Sequence, residues 1–538
     1  MEKNYFGVML DCSRNAVMKV DALKKFIDDL VLMGYNMIEL YTEDTYEIEG
    51  EPLFGHFRGR YSINELKEID EYASSKGVEV IPCIQTLAHL NCIFDYPYYL
   101  YNFNDTNDIL LVEEEKTYEL IEKMFISMRK AFKSKRINIG MDEAHFLGLG
   151  KYLDLHGYHS RFEIILKHLN KVCEIASKYD FKPMMWSDMF FRIANHGEYR
   201  GLDTEIPSWV KESVPKDVSL IYWDYYSSDN NTYGKMLDKH LGFNNEVWFA
   251  GGAWKWHGFH SGNQFSFDKT RIALEECNKR SVKNVLITMW GDNGNECQAI
   301  SVYPALFYTA ECYKGNYDLE NAKTKFKELF NESWDDFMLC DMILPDTFNK
   351  ENELFNGVKE MLYSDPLMGR LDSTVVGDGS ESKFFNELSL KFLKALSKSN
   401  NKEMFDSYYA LSKLMSYKYD LGYRTRILYK NKDICGLKEI IDDYDKTISL
   451  LDEFLSKFRT YWFKYNKPQG FDVQDIRMGG LKQRLIYSKD RLNKYINGSI
   501  NNIEELDEET IDFFYPDDKS KRPTILNQYH LTITSNRR

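Results

Sequence analysis

Residues 63–84 read Ile63-Asn64-Glu65-Leu66-Lys67-Glu68-Ile69-Asp70-Glu71-Tyr72-Ala73-Ser74-Ser75-Lys76-Gly77-Val78-Glu79-Val80-Ile81-Pro82-Cys83-Ile84. Ile63–Ser75 carries apolar residues at helical spacing, and Lys76-Gly77 closes it, since glycine takes the left-handed turn that ends many helices. Val78–Ile84 is then a short apolar run of the kind that lies buried in a parallel sheet. A helix delivering the chain straight into a buried strand is half of a β–α–β crossover unit.

The same pattern extends in both directions. Seven more apolar runs read as strands: Tyr5–Asp11, Asn36–Thr42, Ile137–Asp142, Lys182–Trp186, Ser219–Trp223, Glu246–Ala250 and Asn284–Trp290. Helical stretches lie between or after them at Val20–Met33, Glu113–Lys133, Ser160–Lys178, Asp268–Lys279 and Glu296–Tyr313. Eight β-then-α units in roughly 300 residues predict an α/β fold, a (β/α)8 TIM barrel, over residues 1–315. No G-x-G-x-x-G follows the first strand, so a dinucleotide site has no support. Residues 316–538 predict an α-helical C-terminal region, with helices at Glu351–Tyr363, Ser382–Ser397, Lys402–Tyr419, Gly436–Lys457 and Met478–Asn497. Ser364–Glu381 reads as a loop, and the Glu505–Glu509 run and the tail after Pro523 as solvated surface.

Composition narrows the function classes. The chain has 538 residues, 43% hydrophobic, with a net charge of −14. Disorder and fibrous rods are excluded. The acidity disfavours nucleic acid and anionic membrane as partners. The N-terminal apolar run is too short for a signal peptide or a membrane span, and no later run is long enough to span. Nine scattered cysteines without a C-x-x-C pair fit reduced thiols in a cytoplasmic protein.

In such a barrel, ligands meet the C-terminal ends of the strands. Those ends carry Asp11-Cys12-Ser13-Arg14, Thr42-Glu43-Asp44, Gln85 to His89, Asp142-Glu143, Trp186-Ser187-Asp188, Trp223-Asp224-Tyr225, Trp254 with Trp256, and Trp290-Gly291-Asp292. Tryptophan at or just after four successive strand ends suits a pyranose, whose C–H faces stack on π faces while charged groups bond its hydroxyls. Asp142-Glu143 is the centre: adjacent carboxylates split their pKa values and supply an acid and a charge stabiliser. The letters of Asp142–His145 match a helicase motif, but no phosphate loop accompanies them. The histidines at 156 and 159 lack a His-x-His after strand one, so a metal is not expected. Gly251-Gly252 reads as a turn.

Taken in order, these motifs resemble family 20 of the glycoside hydrolases, the β-N-acetylhexosaminidases. Asp11-x-x-Arg14 resembles the family's strand-one signature, Thr42-Glu43-Asp44 its strand-two motif, His89 its strand-three histidine, Asn138 to Glu143 its strand-four Asp-Glu signature, and Trp290-Gly291-Asp292 its strand-eight motif. The resemblance spans about residues 5–313, and the helical region resembles that of a divergent bacterial branch. It implies exo-acting, retaining, substrate-assisted hydrolysis of terminal β-linked GlcNAc or GalNAc from a small glycoside, with no cofactor. Glu143 would be the acid and base, and Asp142 would hold the 2-acetamido group. Arg14 and Asp292 would bond the sugar hydroxyls; Trp186, Trp223, Trp254 and Trp290 would wall the pocket. His89 and Asp44 would pair behind Glu143. Two positions depart from the family. The tyrosine expected after strand seven is absent and Tyr225 is its substitute; the strand-eight Glu is Asp292, with Glu296 as an alternative. The rival readings are a non-catalytic amino-sugar-binding protein on a decayed barrel and a metal-dependent barrel hydrolase. The helical C-terminal region leaves room for a homodimer.

Overall fold

The computed structural model describes residues 4–256, 258–343 and 357–512, together with 529, 533 and 534. The tail after Pro523, apart from these three residues, and the start of the Glu351–Tyr363 helix lie outside the described residues.

Eight parallel strands close into a barrel: β1 (Phe6–Asp11), β2 (Met37–Tyr41), β3 (Glu79–Cys83), β4 (Arg136–Asn138), β5 (Lys182–Trp186), β6 (Ser219–Trp223), β7 (Val247–Gly252) and β8 (Asn284–Met289). Each pairs with its sequence neighbours, and β1 closes the ring on β8 with Leu10 opposite Met289. The fold is thus the (β/α)8 barrel expected, followed by a helical C-terminal region. The strands are almost wholly buried, as they must be with barrel interior on one face and helices on the other. Gly251 and Gly252 end β7 rather than forming a turn.

Local signals set the helices. α1 (Val20–Met33) ends on Gly34 at φ +100°, whose N–H bonds the carbonyls of Leu30 and Val31. α2 (Ile63–Ser75) starts on a capping box, with Ser62 accepting from Glu65 N–H and Glu65 accepting from Ser62 N–H. α3 (Glu115–Ala131), α4 (Arg161–Lys178), α5 (Asp188–Ala194), α6 (Asn230–Leu241), α7 (Asn263–Lys279) and α8 (Tyr303–Tyr313) follow. α5 and α6, absent from the sequence reading, are short and polar on one face.

The chain divides into two compact units. The first holds residues 1–253, 266–290 and 306–318; the second holds 254–265, 291–305 and 319–538. Segments following β7 and β8 therefore belong to the second unit rather than to the barrel unit. The second unit contains α9 (Leu319–Phe330), α10 (Ser380–Leu396), α11 (Lys402–Lys418), α12 (Leu421–Lys430), α13 (Ile434–Tyr465) and α14 (Phe471–Ile496). α10 packs on α11, α11 on α13, and α13 on α14. Phe454, Phe458, Trp462 and Phe471 build an aromatic seam there. No helix among the described residues is long and apolar enough to cross a membrane.

Candidate active site

The central carboxylates sit where the barrel backbone is least regular. β4 ends at Asn138, four residues short of Asp142, which corrects the expectation of a strand running to that aspartate. The cause is a left-handed backbone at Gly140 (φ +73°), Met141 (+72°) and Glu143 (+50°). Bonding to the neighbouring strand persists: Ile139 N–H donates to Met184 O at 2.8 Å, and Gly140 O accepts from Trp186 N–H at 3.2 Å. Only glycine fits at 140, because a Cβ there would lie 2.0 Å from Gln85 Oε1. Glu43 (φ +42°) and His89 (+58°) are also left-handed. Such conformations cost of order 1–3 kcal/mol each and collect at functional sites.

Asp142 is held from two sides. Gln85 Nε2 donates to its Oδ1 at 2.8 Å, and His89 Nε2 lies 3.2 Å from its Oδ2, an ion-pair distance without hydrogen-bond alignment. Burial penalises the charge of Asp142, but the His89 cation and the contacts from His89 and Gln85 outweigh it and hold the carboxyl below its ordinary value. Burial likewise pushes His89 down, yet the Asp142 carboxylate overrides this and lifts the imidazole to about 10. Glu143 is the more accessible partner, its side chain 38% exposed against 10% for Asp142. Its Oε1 lies 3.0 Å from Arg192 Nη2 and its Oε2 3.8 Å from His89 Nε2. One carboxylate is therefore sequestered as an anion, and the other faces outward with room for a proton acceptor or donor.

His89 and Asp44 do not pair. Asp44 turns to Arg58, whose Nε is 3.2 Å away, and the carboxylate that faces His89 Nδ1 is Asp108, at 3.9 Å. Asp108 also accepts from the His89 backbone N–H at 3.0 Å. Arg58, in the loop after β2, supplies a partly buried cation that satisfies buried Asp44.

The predicted sugar-facing residues of the barrel unit do converge. Arg14 lies 3.3 Å from both Asp11 Oδ2 and Glu43 Oε1, with its guanidinium 5.0 Å from the Tyr41 ring centroid and 5.2 Å from that of Trp290. Trp290 Nε1 donates to the Tyr225 hydroxyl at 2.9 Å, and its ring is 6.0 Å from Trp186. Trp223 stacks on Tyr225 at 5.3 Å and 21°. Tyr225, Trp186, Trp223 and Trp290 thus form one aromatic cluster.

Trp254, Asp292 and Glu296 belong to the second unit. Trp254 is buried, stacked on Trp256 at 4.2 Å and edge-on to Phe265. Asp292 begins a short 3-10 turn. Glu296 is corrected as a substrate ligand: both its oxygens are taken, by Lys359 Nζ and Arg477 Nη1 at 2.7 Å each, and its side chain is fully buried.

Reading the sequence missed Tyr41, Asp108 and Arg192, and gave no role to Gln85 or Asp188. Tyr41 accepts from Gln85 Nε2 at 2.9 Å and donates to Glu43 Oε1 at 3.0 Å, linking the Asp142 and Arg14 ends of the site. The Asp188–Arg192 pair had a visible signal, since opposite charges four residues apart meet on a helix face. Among the described residues no group of three or more His, Cys, Asp or Glu side chains converges as metal ligands would.

The chain matches the model of the glycosyl hydrolase family 20 catalytic domain over residues 4–312 and that of the Glycoside Hydrolase 20C C-terminal domain over 335–525. Hexosaminidase D of Homo sapiens is 25% identical over 233 residues, covering 42% of this chain and 45% of that protein; its Bos taurus counterpart is 26% identical, covering 42% and 64%. The chain thus spans about half the length of these relatives. Among solved structures, a chitobiase of Flavobacterium johnsoniae shares 15% identity over 94% of this chain and 74% of its own, with a TM-score of 0.48.

Proposed function

The chain belongs to glycoside hydrolase family 20, and from that membership we propose that it is an exo-acting, retaining β-N-acetylhexosaminidase working by substrate assistance. It removes terminal β-linked GlcNAc or GalNAc from small glycosides. The observation that carries this reading is the contrast between two adjacent carboxylates, Asp142 buried and held charged by His89 and Gln85, and Glu143 accessible beside it.

Glu143 protonates the leaving oxygen and later takes a proton from water. The nucleophile is the carbonyl oxygen of the substrate's own 2-acetamido group, which closes to an oxazolinium ion with retention after hydrolysis. Asp142 accepts the acetamide N–H and balances the positive charge that develops. Tyr225, after β6, bonds the acetamide oxygen. Trp186, Trp223 and Trp290 enclose the group, and Arg14, steered by Asp11 and Glu43, bonds ring hydroxyls. A general acid beside a carboxylate that stays charged is what an internal nucleophile requires. The nine free cysteines support a reducing compartment, the cytoplasm.

A panel of aryl β-glycosides tests this. GlcNAc and GalNAc glycosides are turned over, and the glucoside lacking the 2-acetamido group is not. Efficient cleavage of that glucoside would sink the substrate-assisted mechanism.

A further inference from the structure

We propose that Asp188 and Arg192 form a clamp that positions Glu143 for proton transfer, an inference that rests on the reading of Glu143 as the acid. Both residues lie on α5, one turn apart, directly after β5. Asp188 Oδ2 accepts from two donors, Glu143 N–H at 3.2 Å and Arg192 Nε at 2.8 Å. Arg192 then reaches Glu143 Oε1 through Nη2 at 3.0 Å. One buried carboxylate oxygen thus fixes the backbone of Glu143 directly and its side chain through the guanidinium.

Two features separate this from a surface ion pair. Asp188 has no exposed side-chain surface, and its Oδ1 is buried without a hydrogen-bond partner, a costly arrangement for a group that merely braces a helix. Burial and the neighbouring Asp142 charge both push Asp188 upward, against the pull of Arg192. Glu143 also holds a left-handed φ of +50°, which an acceptor on its N–H helps to maintain.

Arg192 is itself held by further contacts. Its Nη1 donates to Gly197 O at 3.1 Å, and its guanidinium lies 5.6 Å from the Tyr199 ring and 5.8 Å from that of Trp223. Trp223 stacks in turn on Tyr225. An accessible glutamate otherwise samples several rotamers; a guanidinium fork held this way selects one. The clamp thus serves both proton transfers of Glu143, and the first of them, to the leaving oxygen, is the one whose demand varies with the leaving group.

That dependence gives the test. kcat/KM is measured for Arg192→Met and Arg192→Lys on an activated nitrophenyl glycoside and on an unactivated alkyl glycoside of the same sugar, with Glu143→Gln alongside. Arg192→Met is expected to lose at least about tenfold more on the alkyl glycoside than on the nitrophenyl one. Arg192→Lys should fall between it and wild type, and added methylguanidinium should restore part of the loss in Arg192→Ala. Equal losses on both substrates, or no loss, overturn the clamp. Should Arg192→Met not fold, Arg192→Lys carries the same comparison. If Glu143→Gln discriminates between leaving groups and the Arg192 variants do not, only the clamp fails. If Glu143→Gln does not discriminate, the acid assignment and the clamp fall together.

Discussion

His89 Nε2 lies 3.2 Å from Asp142 Oδ2, and each charge holds the other in place. The pair ties the loop after β3 to the loop after β4, so its charge state bears on stability as well as chemistry. His89 in the fold lies above its ordinary value of 6.5, near 10. Its share of stability is complete below pH 6.5 and is lost as pH rises through about 10. Asp142 lies below its ordinary 3.8, so its share is complete above pH 3.8 and is lost as pH falls through the lowered value.

His89→Gln should therefore lower Tm most between pH 3.8 and 6.5, with the difference from wild type shrinking toward pH 10. Thermal melts of both proteins across that range check it. A pH-independent difference would show that His89 contributes packing rather than charge.

Gly140→Ala should damage both folding and turnover. The added Cβ meets Gln85 Oε1 at 2.0 Å and Ile84 O at 2.9 Å, on a backbone at φ +73°. Relief requires Gln85 to move, and Gln85 is the donor to Asp142 Oδ1. The cost should be about 1–3 kcal/mol of stability from strain and overpacking, read by urea unfolding, together with a fall in kcat. Wild-type kcat in a destabilised Gly140→Ala protein would mean that Asp142 does not depend on Gln85.

Glu296→Gln tests whether that residue is structural. Glu296 neutralises Lys359 and Arg477 in an interior where none of the Glu296 and Lys359 side-chain surface is exposed. Burial already pushes Lys359 down despite the attraction of Glu296. Removing one partner of a buried ion pair leaves uncompensated charge, at about 3–5 kcal/mol. A comparable loss in ΔG of unfolding is expected. A variant as stable as wild type would place Glu296 outside any structural role.

The barrel was legible because each strand is a short apolar run that must be buried on both faces, and because Gly34 and Ser62 mark helix ends by chemistry that acts within a few residues. Asp142, Glu143, Arg14 and the tryptophans at 186, 223 and 290 were legible for a related reason: strand ends of a closed barrel share one rim. What failed depended on contacts across loops. Nothing near Asp44 in sequence says that Arg58, fourteen residues on, will claim it, or that Asp108 will face His89 instead. Glu296 looked available because Lys359 and Arg477 lie 63 and 181 residues away. The early end of β4 follows from Gly140 and Met141, and a left-handed methionine has no sequence signature.

Tyr225 carries the most exposed part of the mechanistic reading, since it substitutes for a tyrosine that the resemblance places elsewhere. Its ring stacks on Trp223, and its hydroxyl accepts from Trp290 Nε1 at 2.9 Å. Burial raises the hydroxyl well above its ordinary value, so it stays protonated and is a donor across the working pH range. Tyr225→Phe keeps the stack but deletes that donor together with the acceptor of Trp290 Nε1. If the hydroxyl bonds the acetamide oxygen, its contribution grows as that oxygen attacks, and the variant should lose about 10²–10³ in kcat with a small change in KM. If Tyr225 serves only to pack Trp223 and hold Trp290, the cost should appear in stability, through the lost Trp290 hydrogen bond, with kcat near wild type. Steady-state kinetics on the nitrophenyl GlcNAc glycoside separates the two.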